Sequence, residues 1–156
     1  MSRWFTACVL VAIPTAALGQ ASFELGPESQ RQTEVPRGEV TPLRWENSRV
    51  YRNTERDWWV YVPAQYDGET PAALMVFQDG GNYVREDGQI RVPVVFDNLI
   101  NAGDMPVTIG VFVNPGRFVG DNPEGPARNR STEYDSMTDQ YSRFLLEEII
   151  PEVRKT

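Results

Sequence analysis

The segment Asp79-Gly80-Gly81 follows a run of six apolar residues, 72–77, with only Gln78 between them. Such a run reads as a strand buried on both faces. Two adjacent glycines at its C-terminal end permit backbone conformations that a Cβ forbids. In open α/β sheets, ligands lie outside the C-terminal ends of the strands. The spacing therefore places bare backbone N–H groups where a substrate could sit. Asp79 can fasten the glycine turn through side-chain-to-backbone hydrogen bonds. A plain Asp-Gly-Gly turn without chemistry is the other reading of the same residues.

Arg117, Arg128 and Arg130 lie in or beside one long loop, residues 114–131. A loop of that length in a small domain is often functional. Guanidinium forks suit an acidic or phenolic substrate. The same arginines could instead form surface ion pairs with Glu124, Glu133 and Asp135. Asp121 and Glu124 are too few carboxylates for a calcium cage, and no metal site is expected. The sequon Asn129-Arg130-Ser131 has no other support as a glycosylation site. The sequence contains no histidine, so no Ser-His-Asp triad can be completed within these residues.

The elements that must position these groups follow from periodicity. Residues 39–45 read as a first strand, at an edge because of Pro42. Residues 57–62, DWWVYV, are aromatic and β-branched, a strong strand signal. Trp58 and Trp59 must then face opposite sides of the sheet. The strand at 72–78 comes next, then a polar loop over 82–91. A helix follows, with Pro93 in its first turn and Val92, Val95, Phe96, Leu99 and Ile100 on one apolar face. Gly103 suits its C-cap. Residues 107–113 form another apolar strand. Thr138 is the expected N-cap of a last helix that buries Tyr141, Phe144, Leu145 and Ile149 and that Pro151 kinks or ends. This order implies one α/β domain over 38–156: a mixed, partly parallel sheet of about four strands with two flanking helices.

The N-terminus has the layout of a cleavable signal peptide over 1–19: Arg3, an apolar stretch, then small residues up to Gly19. The apolar part is too short to span a membrane. Residues 20–37 are polar with two prolines and read as a flexible arm. Export to the periplasm or medium is expected, with cleavage near Gly19. Removing the leader removes the only cysteine and leaves 14 basic against 22 acidic residues, a balance of −8. An acidic mature chain without a basic stripe is a poor candidate for nucleic-acid binding and argues against docking on anionic lipid.

Four segments together resemble one family. RDWWVYVPA at 56–64, MVFQDGG at 75–81, VFVNPGR at 111–117 and EYDSMTDQYSRFLLEEIIPEV at 133–153 are similar to the first half of enterochelin-esterase-like esterases, serine esterases of the α/β-hydrolase fold. The resemblance covers residues 40–156. It implies that Gly80 and Gly81 belong to the loop that donates a backbone N–H to the oxyanion. It also implies a Gly-x-Ser-x-Gly nucleophile strand, an acid and a histidine further along. None of Ser48, Ser131, Ser136 or Ser142 stands in such a context. The expectation is an incomplete, front-half hydrolase domain, without a catalytic residue of its own and inactive alone. The full-length form would act on a small-molecule or saccharide ester and need no cofactor. The alternative is a non-catalytic module that binds a carbohydrate or a partner through strand 57–62 and the long loop. In the implied strand order the strand at 72–77 is left as a bare apolar edge, so strand-mediated self-association is expected.

Overall fold

The computed structural model describes residues 24–120 and 129–156; the leader, Asp121, Glu124 and Arg128 lie outside them. Strand β1 (Glu39–Trp45) pairs antiparallel with β2 (Thr54–Val62). β3 (Ala73–Gln78) leads through helix α1 (Val92–Ala102) to β4 (Thr108–Val113), which lies parallel to β3 and antiparallel to β2. A parallel pair needs such a crossover, and the helix supplies it. The sheet order is β1-β2-β4-β3, with the two-residue β5 (Arg117–Phe118) added to the start of β2. After β5 come α2 (Arg130–Tyr134) and α3 (Gln140–Phe144). A wide π turn over Leu145–Ile149 leads on into α4 (Ile150–Val153). The sheet is mixed and partly parallel, as the sequence implies.

Helices cover both faces of the sheet. Trp58, Val60, Val111 and Val113 pack with Phe144 and Ile149 on one side. Tyr61 and Phe112 pack with Val92, Phe96 and Ile100 on the other. The two-residue period of β2 thus feeds two cores at once. Trp58 lies in the first core, and its neighbour Trp59 is half-buried against the second. Pro42 sits on edge strand β1.

Several expectations change. The strand at 72–78 begins at Ala73 and is not buried on both faces: Leu74 and Met75 are each 42% exposed. Its apolar run is free because β3 is an edge strand bonded only to β4. The described part of the supposed loose arm, 24–37, is fastened to α1. Asn98 Nδ2 donates to the carbonyls of Glu28 (2.7 Å) and Gln30 (2.9 Å), and Arg31 pairs with Asp97. Asp97 and Asn98 lie on the buried side of α1, and buried polar groups need partners. The arm supplies them. Asp97 also accepts from the Gly38 N–H (2.8 Å) and the Tyr61 hydroxyl (2.7 Å). Within α1 the buried face is shifted from the one the spacing suggests: Val95 and Leu99 are half-buried, whereas Val94, Asp97 and Asn98 are buried. Gly103 takes the C-cap with φ 79°, its N–H reaching Ile100 and Leu99.

The last helix starts one residue late, with Asp139 rather than Thr138 at its N-cap. Pro151 does not end it but stands in the first turn of α4. The π turn lies directly before it, where the proline ring would otherwise meet the carbonyl four residues back.

Candidate functional site

β3 and β4 run parallel with Gln78 opposite Val113, so Asp79 and Asn114 emerge side by side at their C-terminal ends. Beyond them opens a cleft of about 280 Å³, walled by Asp57, Asp79, Gly81, Asn114, Arg117 and Arg130. This is where the fold's physics puts ligands.

Asp79 holds a left-handed backbone, φ 52° and ψ 41°. A non-glycine residue there is strained and persists only when its surroundings impose it. α2 does so from two directions. Arg130 grips the Asp79 carboxylate through Nη2 (2.7 Å) and Nε (3.0 Å). Tyr134 Oη accepts the Asp79 N–H at 3.2 Å and donates to the Val113 carbonyl at 3.3 Å. Burial pushes the Tyr134 hydroxyl above its usual range, so at neutral pH it stays protonated and able to donate. The Arg130 guanidinium also lies 5.2 Å from the Tyr134 ring centre.

The turn then tightens into a single helical turn, Gly80–Asn82. Gly80 is buried against β4. A Cβ on it would lie 2.4 Å from the Phe112 carbonyl carbon and from the Val113 nitrogen, so only glycine fits. Gly81 stands over Asn114, and its N–H donates to Asn114 Oδ1 at 2.9 Å. The Asn114 N–H in turn reaches the Asp57 carbonyl at 3.2 Å. The glycine turn, β4 and β2 are thereby joined at the cleft.

A buried ion pair underlies this assembly. The Arg56 and Glu133 side chains are fully buried, with Nη1 and Oε2 2.6 Å apart. Glu133 Oε1 also accepts from the Gly116 N–H (3.1 Å) and Asn129 Nδ2 (3.0 Å). The Asn129 N–H bonds the Gly116 carbonyl at 2.8 Å. Both ends of the segment between Gly116 and Asn129 are thus fastened to β2. Arg56 Cζ lies 4.1 Å from the Phe144 ring centre and 5.6 Å from that of Tyr51. Burial, with Glu133 nearby, pushes the Tyr51 hydroxyl up to about 12.

The structure brings together Asp79, Gly81, Arg117 and Arg130 at one cleft, with Gly80 beneath the turn. Arg128 lies outside the described residues. The role expected of Asp79 changes: its carboxylate bonds Arg130, not the backbone of its own turn. The expected ion-pair partners change too. Arg130 pairs with Asp79, and Glu133 with Arg56. Arg117 stands 3.6 Å from Glu55 and 3.7 Å from Asp57. Asn129 is 4% exposed and bonded to Glu133, which removes the sequon from a glycosylating enzyme's reach. Sequence reasoning missed Asn114, Arg56 and Tyr134. One signal for Asn114 was available: it is the first polar residue after its strand, the place Asp79 holds after its own.

No protein-family model matches the sequence, and no curated protein matches it. Solved structures do share the fold. The CE1 ferulic acid esterase of the anaerobic fungus Anaeromyces mucronatus, in complex with ferulic acid, superposes with a TM-score of 0.56 at 20% identity, over 82% of this chain and 46% of that one. The same esterase without substrate gives a TM-score of 0.53 at 19% identity, over 82% and 47%. A structure of FAE gives 0.56 at 16% identity, over 83% and 39%. These structures share this chain's fold, a mixed, partly parallel sheet flanked by helices, and this chain spans less than half the length of those it matches. Among the described residues no helix is long and apolar enough to cross a membrane.

Proposed function

We propose that this chain is the N-terminal part of a secreted serine esterase of the enterochelin-esterase-like group, a carboxylic-ester hydrolase. One observation carries the reading: the cleft at the C-terminal ends of β3 and β4 is walled by a strained, externally clamped Asp79-Gly80-Gly81 turn. Strain held in place at a ligand-facing turn is a mark of preorganisation. Ester hydrolysis gains from such preorganisation, because the carbonyl oxygen gains negative charge when a nucleophile adds. Fixed N–H donors aimed at that oxygen lower the barrier without reorganising.

In this reading the chain supplies the oxyanion side of the site and the arginine-bearing walls. The nucleophile, its base and the acid belong to residues beyond this chain. The substrate is a small-molecule or saccharide ester. The ferulic acid held by the similar fungal esterase makes esters of aromatic acids the first set to assay.

The test is to express the longest open reading frame that contains residues 1–156, and residues 20–156 alone, and to follow hydrolysis of p-nitrophenyl acetate and of methyl ferulate. The longer product should turn over and be labelled by a fluorophosphonate at a serine outside these residues. The shorter should do neither. Turnover by the shorter, or none by the longer, refutes the proposal. N-terminal sequencing of the exported protein should begin near Gln20.

A further inference from the structure

Gly81 has its N–H already engaged. Asn114 Oδ1 accepts it at 2.9 Å. A donor committed to a neighbouring carboxamide cannot also meet a substrate oxygen unless that carboxamide swings away. The bond also orients the carboxamide. With Oδ1 turned to Gly81, the Nδ2 amino group is its other polar end, and Asn114 lines the cleft. Asn114 is only half-buried, and no described residue accepts a hydrogen bond from Nδ2. An amide whose oxygen accepts one bond becomes a better donor through its nitrogen, because chained hydrogen bonds polarise one another.

Asn114 is held at its other end as well. Its N–H bonds the Asp57 carbonyl at 3.2 Å, and its carbonyl lies 3.5 Å from Arg56 Nη1. The residue follows directly on Val113 at the end of β4, in the sheet interior. A donor on a strand end is placed more firmly than one on a free loop. Among the flanking charges, Arg117 stands half-exposed, 3.6 Å from Glu55 and 3.7 Å from Asp57, and reaches the cleft from a two-residue strand rather than from the sheet interior. Asp57 and Asp79 only accept, and the Arg130 fork is occupied by Asp79.

We propose that Asn114 Nδ2 is a donor with which this cleft meets a substrate oxygen, and that Gly81 is the residue that positions it. This rests on the esterase reading and deepens it. As the nucleophile's electron pair forms the new bond to the ester carbon, the carbonyl π pair moves onto oxygen. The Asn114 N–H donates to that oxygen and keeps its proton. Gly81 thereby acts through Asn114 rather than on the substrate.

The test uses the product of the longest open frame containing these residues, with Asn114→Asp and Asn114→Ala. Aspartate keeps an oxygen for the Gly81 N–H but has no proton to donate at neutral pH. If wild type hydrolyses p-nitrophenyl acetate, both variants should lose about 100-fold in kcat with KM little changed. Variants that keep their turnover overturn the proposal while the esterase reading stands. If wild type is inactive, the esterase reading fails by itself, and acetate titration decides the donor. The Asn114 side-chain NH2 pair in a ¹⁵N–¹H spectrum, assigned by its loss in Asn114→Asp, should then shift saturably. A pair that stays still overturns the proposal. The same titration of the unaltered protein decides wherever a variant fails to fold.

Discussion

Replacing Gly80 by alanine tests whether the glycine pair is set by backbone approach or by turn preference. The added Cβ would stand 2.4 Å from the Phe112 carbonyl carbon and the Val113 nitrogen, and 2.7 Å from Phe112 Cα. Ordinary carbon contacts are about 3.5–4.0 Å, so the overlap exceeds about 1 Å. All three atoms are backbone, and no rotamer change relieves them. β4 cannot yield either, since it is bonded to β2 on one side and β3 on the other. Overpacking of this kind costs about 3 kcal/mol, which for a chain of this size lowers Tm by roughly 6–12 °C. Gly81→Ala is the control one residue along the same turn. Its Cβ meets only side-chain atoms, Asn114 Nδ2 and Oδ1 at 3.3 Å and a Trp59 ring carbon at 3.4 Å. These can give way, and the expected cost is below about 1 kcal/mol. Thermal unfolding followed by circular dichroism reads both. A Gly80→Ala protein that melts with wild type, or a Gly81→Ala protein that falls as far, would refute the argument from backbone approach.

Further outcomes follow from the buried charges and the free edge. Glu133→Ala leaves Arg56 buried without its partner and should cost about 3–5 kcal/mol in denaturant titration, whereas Arg56→Met with Glu133→Leu should recover most of it. Glu148 is depressed: burial would raise it, but bonds to its carboxylate from the Val50 N–H, Trp45 Nε1 and the Arg49 N–H outweigh that. Its contribution is therefore present above the ordinary carboxylate value of 4.5 and is lost as pH falls through the lower folded value. Glu148→Gln should remove that part of the acid slope of stability between pH 5 and 2, read as Tm against pH. The exposed β3 edge should drive concentration-dependent association of the 20–156 chain, which Leu74→Lys should suppress in sedimentation velocity. A monomer at all concentrations would count against it.

Much of the fold was legible because it is written in local periodicity. The alternation in 57–62, the spacing from Val92 to Ile100, Pro93 and Gly103 act within a few residues of themselves, and each element stands where those patterns put it. The arm over 24–37 was misread for the same reason. Its composition is that of a linker, but two buried polar groups on α1, 66 to 70 residues away in sequence, hold it down.

By itself, the sequence determined that a glycine pair stands at the end of an apolar strand in an α/β order, and that Trp58 and Trp59 must diverge. Steric freedom at glycine and the pleat of a strand are properties of single residues and their neighbours. Only the tertiary structure decided what the turn does. The Asp79–Arg130 pair spans 51 positions and the Gly81–Asn114 bond spans 33. Parallel pairing of β3 with β4 is what carries Asn114 to the glycines. No local propensity records which N–H a distant carboxamide will take, because that choice is made by strand register after the sheet has formed.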